Sequence, residues 1–139
     1  MGLFRKILEI DTSEFIYAAW HGEIDEAKKL LQKGVNINII QSSTFWTPLY
    51  VAAKQNQVKM VKFLLQNGAY PDSTVEDQNK TSLYTASELG HTEVVKLLLE
   101  FGANPKIVRN FFLSKDTALS IANKNGHTEI VKMLELCLK

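Results

Sequence analysis

Apolar positions along this chain come in short bursts at helical spacing, never in one long run. The burst pattern is clearest between residues 81 and 104. Thr81 starts a first helix that carries the small residues Ala86 and Ser87 on one face. Gly90-His91 interrupts it. Val94, Val95, Leu97, Leu98 and Leu99 then mark a second helix, which Gly102 stops. Helices this short are marginal in water on their own, so each apolar face needs a neighbour.

The chain supplies that neighbour by repetition. The starting Thr recurs at Thr47, Thr81 and Thr117, and the stopping Gly at Gly34, Gly68 and Gly102. The mid-unit turn falls at Gly22, Asn56, Gly90 and Gly126, in steps of 34, 34 and 36 residues. Self-similarity at such a period predicts a stacked solenoid whose units touch only their neighbours.

The repeated motif resembles the ankyrin repeat. Thr47-Pro48-Leu49-Tyr50-Val51-Ala52 stands where that family has Thr-Pro-Leu-His-x-Ala, and Gly90-His91-Thr92-Glu93-Val94-Val95-Lys96 and Gly126-His127-Thr128-Glu129-Ile130-Val131-Lys132 continue the match. The resemblance covers residues 13–139. It implies an all-α solenoid of four helix-turn-helix repeats, about 13–46, 47–80, 81–116 and 117–139. It also implies β-hairpin fingers over 35–46, 69–80 and 103–116. Residues 1–12 stand outside the register as a leader or capping segment.

Within that frame, Ser13 and Glu14 replace the usual Thr-Pro. Ser13 is expected as a helix N-cap, with Glu14 favoured by the helix dipole in the first turn. Pro48 suits the first helical position. Asn56 tolerates the left-handed backbone that the turn needs. Asn79 stands where the family has Gly in a tight finger turn, and Phe45 and Lys115 stand there in the other fingers, so those two turns are expected to depart from the usual form. Leu3, Phe4, Ile7 and Leu8 have helical spacing. They read either as a cap over the first repeat or as a membrane-surface or partner-docking helix. Met1-Gly2 begins like an acylation signal, but Lys6 stands where Ser or Thr is required. Leu136 and Leu138 are expected to be partly exposed at the chain's end.

Composition changes the picture only by exclusion. Across 139 residues the net charge is +1, which gives no argument for nucleic acid or an anionic membrane. The single Cys137 cannot form an internal disulfide, so a reducing, cytoplasmic setting is expected, including a host cytoplasm if the source lives inside other cells. No stretch of about 18 apolar residues exists to span a membrane. Phosphate loops, Cys-x-x-Cys and His-Glu-x-x-His are all missing, so no enzyme, cofactor or metal site is expected. His91 and His127 take the turn position of the repeat, where the resemblance implies a structural role. Lys59, Lys62, Lys96 and Lys132 read as a solvated outer face.

The resemblance places function on the concave face, formed by finger tips and inner-helix ends. One scaffold serves many targets, so the fold does not name the partner. The expected contact residues are Trp20, His21, Trp46, Tyr50, Lys54, Gln55, Asp77, Lys80, Tyr84, Glu88 and Leu113, with Gln78 among the other variable finger positions. Trp20 and Trp46 should be near neighbours, and Trp dominates interface hot spots. Trp46 reads equally as packing for its finger. Ile107, Arg109 and Phe111 alternate with Val108, Asn110 and Phe112, which gives the third finger strand character. The reading is a monomeric, non-catalytic module that binds a protein partner. The alternative is a targeting or inhibitory subunit acting on an enzyme of another chain, including a host-directed effector.

Overall fold

A computed structural model describes residues 2–75 and 79–139. Asp77 and Gln78, expected among the finger contacts, lie outside them. Helices α1 (Gly2–His21), α3 (Pro48–Lys54), α5 (Ser82–Leu89) and α7 (Ala118–Lys124) form an inner row. Helices α2 (Ile24–Gln32), α4 (Val58–Gln66), α6 (Thr92–Glu100) and α8 (Thr128–Leu138) form an outer one. Each inner helix packs on the next inner helix and on its own outer partner. This is the one-dimensional stack that the 34-residue step predicts.

The local chemistry that starts each layer is the same three times. Thr47, Thr81 and Thr117 are extended N-caps whose hydroxyls accept from the backbone N–H of Tyr50, Tyr84 and Ser120. Pro48 occupies the first turn of α3, where its missing N–H leaves nothing unsatisfied. The first layer differs. Ser13 is not a cap, because α1 runs unbroken from Gly2 through His21. No Pro or Gly falls between residues 3 and 12, so the helix has no cause to begin at Ser13. The boundary expected at residue 12 therefore falls inside a helix. Leu3, Phe4, Ile7 and Ile10 remain exposed, so these side chains do not cover the first layer.

The core lies between layers. Phe15, Leu30, Leu49, Met60, Leu64, Leu83, Leu98, Ile130 and Leu134 are its largest fully buried side chains. The two edges are closed by substitution at register positions that are buried elsewhere. Upstream, exposed Glu14 stands where Pro48, Ser82 and Ala118 are buried, and half-buried Glu26 stands where Met60, Val94 and Ile130 are. Downstream, exposed Ser120 and Asn123 replace buried Tyr84 and Ser87. A polar outer face on end repeats is what keeps such a stack soluble. Lys59, Lys62, Lys96 and Lys132 are exposed on the outer helices. Leu136 is exposed and Leu138 half-buried, as expected.

Two ladders of hydrogen bonds tie the layers together. Gln57 Nε2 donates to the Trp20 carbonyl at 2.9 Å. His91 Nε2 meets the Lys54 carbonyl, and His127 Nε2 the Glu88 carbonyl, each at 3.1 Å. A carbonyl only accepts, so Nε2 carries the proton in both rings. The structural role implied for His91 and His127 is thus a stitch to the preceding inner helix, and Gln57 makes it without a ring. The second ladder runs where fingers begin: Asn38 Oδ1 accepts from Tyr70 N, and Asp72 Oδ1 from Asn104 N, each at 2.8 Å.

The fingers vary. In the first, no strand forms among the described residues. Its turn closes through Gln41 N to Trp46 O at 3.0 Å and Phe45 N to Gln41 O at 2.8 Å. The second pairs β1 (Thr74–Val75) with β2 (Lys80–Thr81), and the third pairs β3 (Arg109–Phe111) with β4 (Ser114–Asp116), all antiparallel. Phe45 does not depart from the family's turn: it takes φ +57°, alongside Asn79 at +53° and Asn56 at +55°. The closed turn imposes that backbone on Phe45 despite the steric cost to a bulky residue. Lys115 does depart, because it lies within β4 and the left-handed residue of that finger is Phe112, at φ +51°.

Candidate partner-binding face

Inner-helix ends and finger bases alternate along one side of the stack. At its upstream end the register brings the two indoles together as expected. Trp20, at the end of α1, stacks on Trp46, at the base of the first finger, with centroids 5.7 Å apart and planes at 23°. Tyr50 lies 6.1 Å further along. The Lys54 ammonium sits 4.7 Å above the Trp46 ring, a cation–π contact worth about 0.5–1 kcal/mol where solvent reaches it. Both indoles pack on the core at one edge and stay half-buried. The packing role weighed for Trp46 is therefore real, and it leaves part of the ring in water. His21 is exposed, its ring 4.3 Å from Tyr17. Gln55 is half-buried beside Lys54 in sequence.

The middle of the face is ionic. Lys80, in β2, pairs with Glu88 of α5 at 2.9 Å, one layer on from the Trp46–Lys54 contact in the same register. Two cations approach the Tyr84 ring, Lys80 at 5.7 Å and the Arg109 guanidinium at 5.2 Å from its centroid. Arg109 Nη1 also donates to the Tyr84 hydroxyl at 3.2 Å. The register gave no direct sign of that link, since it depends on how the longer third finger folds back.

Two expected contact residues need correction. Tyr50 and Tyr84 are each 2 % exposed. They fill the space under the fingers, where the larger ring replaces the family's imidazole, and they support Trp46, Lys80 and Arg109 from below. Leu113 is at the opposite extreme, fully exposed at the tip of the third finger. Among the described residues no group of three or more His, Cys, Asp or Glu gathers to hold a metal, and no helix is long and apolar enough to cross a membrane.

A stack of helix pairs with a row of half-buried aromatic and charged side chains along its finger side defines a repeat scaffold of the recognition type. A family model of ankyrin repeats, three copies, matches residues 15–109. The chain belongs to the ankyrin-repeat family. Domains of this family are generally protein–protein interaction modules and typically non-catalytic. No curated protein matches the chain.

Proposed function

We propose that the chain binds a protein partner along the finger side of the stack, with Trp20 and Trp46 as anchors. Lys54, Gln55, Lys80 and Glu88 form the polar rim, His21 flanks the indoles, and Leu113 extends the contact along the third finger. One observation supports this reading above the others: two stacked indoles, packed on the core along one edge, remain half in water on the finger side. A rigid aromatic pair loses little conformational freedom on binding, which is why such pairs make hot spots.

The test is Trp46→Ala, with partner affinity and melting temperature measured on the same preparation. A loss of about 2 kcal/mol in binding, with the melting temperature unchanged, is the expected outcome. A matching loss of stability would assign Trp46 to packing and refute the anchor role.

A further inference from the structure

The finger side carries an apolar knob at one end and an aromatic hollow at the other. The knob is the two-residue turn between β3 and β4, where Phe112 and Leu113 are 92 % and 102 % exposed. Phe112 holds φ +51°, a backbone that Gly adopts freely and a bulky residue does not. The support beneath this turn is nevertheless fixed. Ser114 donates to one oxygen of Asp116, Ser120 donates to the other at 3.4 Å, and Arg109 donates to Tyr84. Two large apolar side chains are thus held in water, with strain, on an anchored hairpin. Strain and apolar exposure coincide where a surface is built to be met.

The hollow lies at the upstream end. Ile16, Tyr17, Trp20, His21, Gln41 and Trp46 line a depression of about 350 Å³. Charge separates in the same sense as shape. Residues 2–32 hold Glu9, Asp11, Glu14, Glu23, Asp25 and Glu26 against Arg5, Lys6, Lys28 and Lys29, the last two paired with Asp25 and Glu26, which leaves this end acidic. Residues 105–128 hold Lys106, Arg109, Lys115 and Lys124 against Asp116 alone. Glu14 lines a second depression that shares Tyr17 with the hollow. Lys115 is exposed two residues beyond the knob.

We propose that two copies of this chain pair finger side to finger side about a two-fold axis, each third-finger tip entering the other's aromatic hollow with Lys115 against Glu14. Knob and hollow lie on one side of the stack at opposite ends, so a single rotation makes both contacts and closes the assembly. The charge separation favours this antiparallel arrangement and penalises the parallel one, which sets like ends together. The proposal rests on the reading of Trp20 and Trp46 as an open binding surface, and it replaces the monomer expected from the sequence. Pairing masks the indoles, so self-association and partner binding compete.

Sedimentation equilibrium on the full chain, from low to several hundred micromolar, tests this together with indole emission on dilution. Trp20 and Trp46 are the only two Trp residues, so emission reports the hollow alone. The expected result is a monomer–dimer equilibrium, with emission moving to the red as the dimer dissociates. The double variant F112S/L113S should weaken pairing roughly thirty-fold, the size of a hot-spot truncation, at an unchanged melting temperature. Glu14→Lys and Lys115→Glu should each weaken it, and E14K/K115E together should restore it. A monomer at every concentration overturns the proposal, as does a dimer indifferent to F112S/L113S or one whose indole emission ignores dilution. If the chain stays monomeric while Trp46→Ala still weakens partner binding, this inference fails and the proposed function stands.

Discussion

Gly90→Ala puts the stitch between the third and fourth layers to the test. Gly90 ends α5 at φ +76°. A Cβ there meets the His127 ring at 2.7 Å from Cε1 and 2.9 Å from Nδ1, closer than a methyl group tolerates. Two costs follow. The backbone cost of a left-handed Ala is about 1–2 kcal/mol, reduced by about 0.4–1 kcal/mol because Ala also narrows the unfolded ensemble. The second cost is displacement of the ring from the Glu88 carbonyl. That carbonyl also accepts from Asn125 Nδ2 at 2.9 Å, so it is not orphaned, and the loss is that of one net hydrogen bond, about 0.5–1.5 kcal/mol. Gly126 has nearly the same φ, +75°, and a Cβ added there would meet nothing within 4 Å, so Gly126→Ala should show the backbone cost alone. The decisive measurement is a double-mutant cycle of Gly90→Ala and His127→Ala by urea unfolding, followed by circular dichroism. The expected coupling is about 0.5–1.5 kcal/mol, because removing the ring removes the clash. Additivity within about 0.3 kcal/mol would refute the claim that His127 and Gly90 hold the layers by fit.

Ser87 is 0 % exposed and its hydroxyl finds no hydrogen-bond partner among the described residues, while Ala19 and Ala53 hold the same register position in the preceding layers. Ser87→Ala should therefore stabilise the chain by about 1 kcal/mol, the lower end of the cost of an unsatisfied buried polar group. Thermal unfolding checks it, and a lower melting temperature would show that the hydroxyl has a use. Arg109→Ala removes the bond to the Tyr84 hydroxyl. Amide hydrogen exchange across 109–116 should quicken while α3 to α6 keep their protection, since finger stability is local in a stack. Uniform protection loss would mean that the third finger supports the whole array.

Much of this could be read from spacing, because a repeat fixes where a side chain points. The neighbouring positions of Trp20 and Trp46 follow from register alone, as does the left-handed turn at Asn56. What escaped is what no single repeat contains. Ser13 carries the same local cap signal as Thr47, and only the helix-forming run before it removes the cap. Tyr50 and Tyr84 occupy positions that face the groove, and the side chains packed on them, Trp46 on Tyr50 and Lys80 with Arg109 on Tyr84, come from the fingers and not from the helices that carry the register. Phe45 carries no sign of a left-handed turn, since the closure between Gln41 and Trp46 imposes it. In the third finger β3 begins at Arg109, two residues later than the alternation from Ile107 suggests, and the turn settles at Phe112-Leu113.

The more informative comparison runs down the columns of the repeat rather than along the chain. A column that is apolar in every layer but the first, such as Glu26 above Met60, Val94 and Ile130, marks an edge, and the polar residue there keeps both solvent access and a Lys29 partner, at little cost. A column that turns polar in an inner layer has no such outlet. Ser87 sits between Ala53 and Asn123 in such a column and is buried with no hydrogen-bond partner among the described residues, so the same polarity that protects an end weakens a middle. The converse departure is an apolar residue where turn chemistry asks for Gly, as at Phe112. Its side chain is 92 % exposed, so little apolar burial offsets the strained turn. A departure from turn chemistry that leaves two apolar side chains in water is the kind of local inconsistency that a contact outside the chain would offset, and on that ground the proposed contacts set the third-finger tip beside the indole pair, ahead of the exposed lysines.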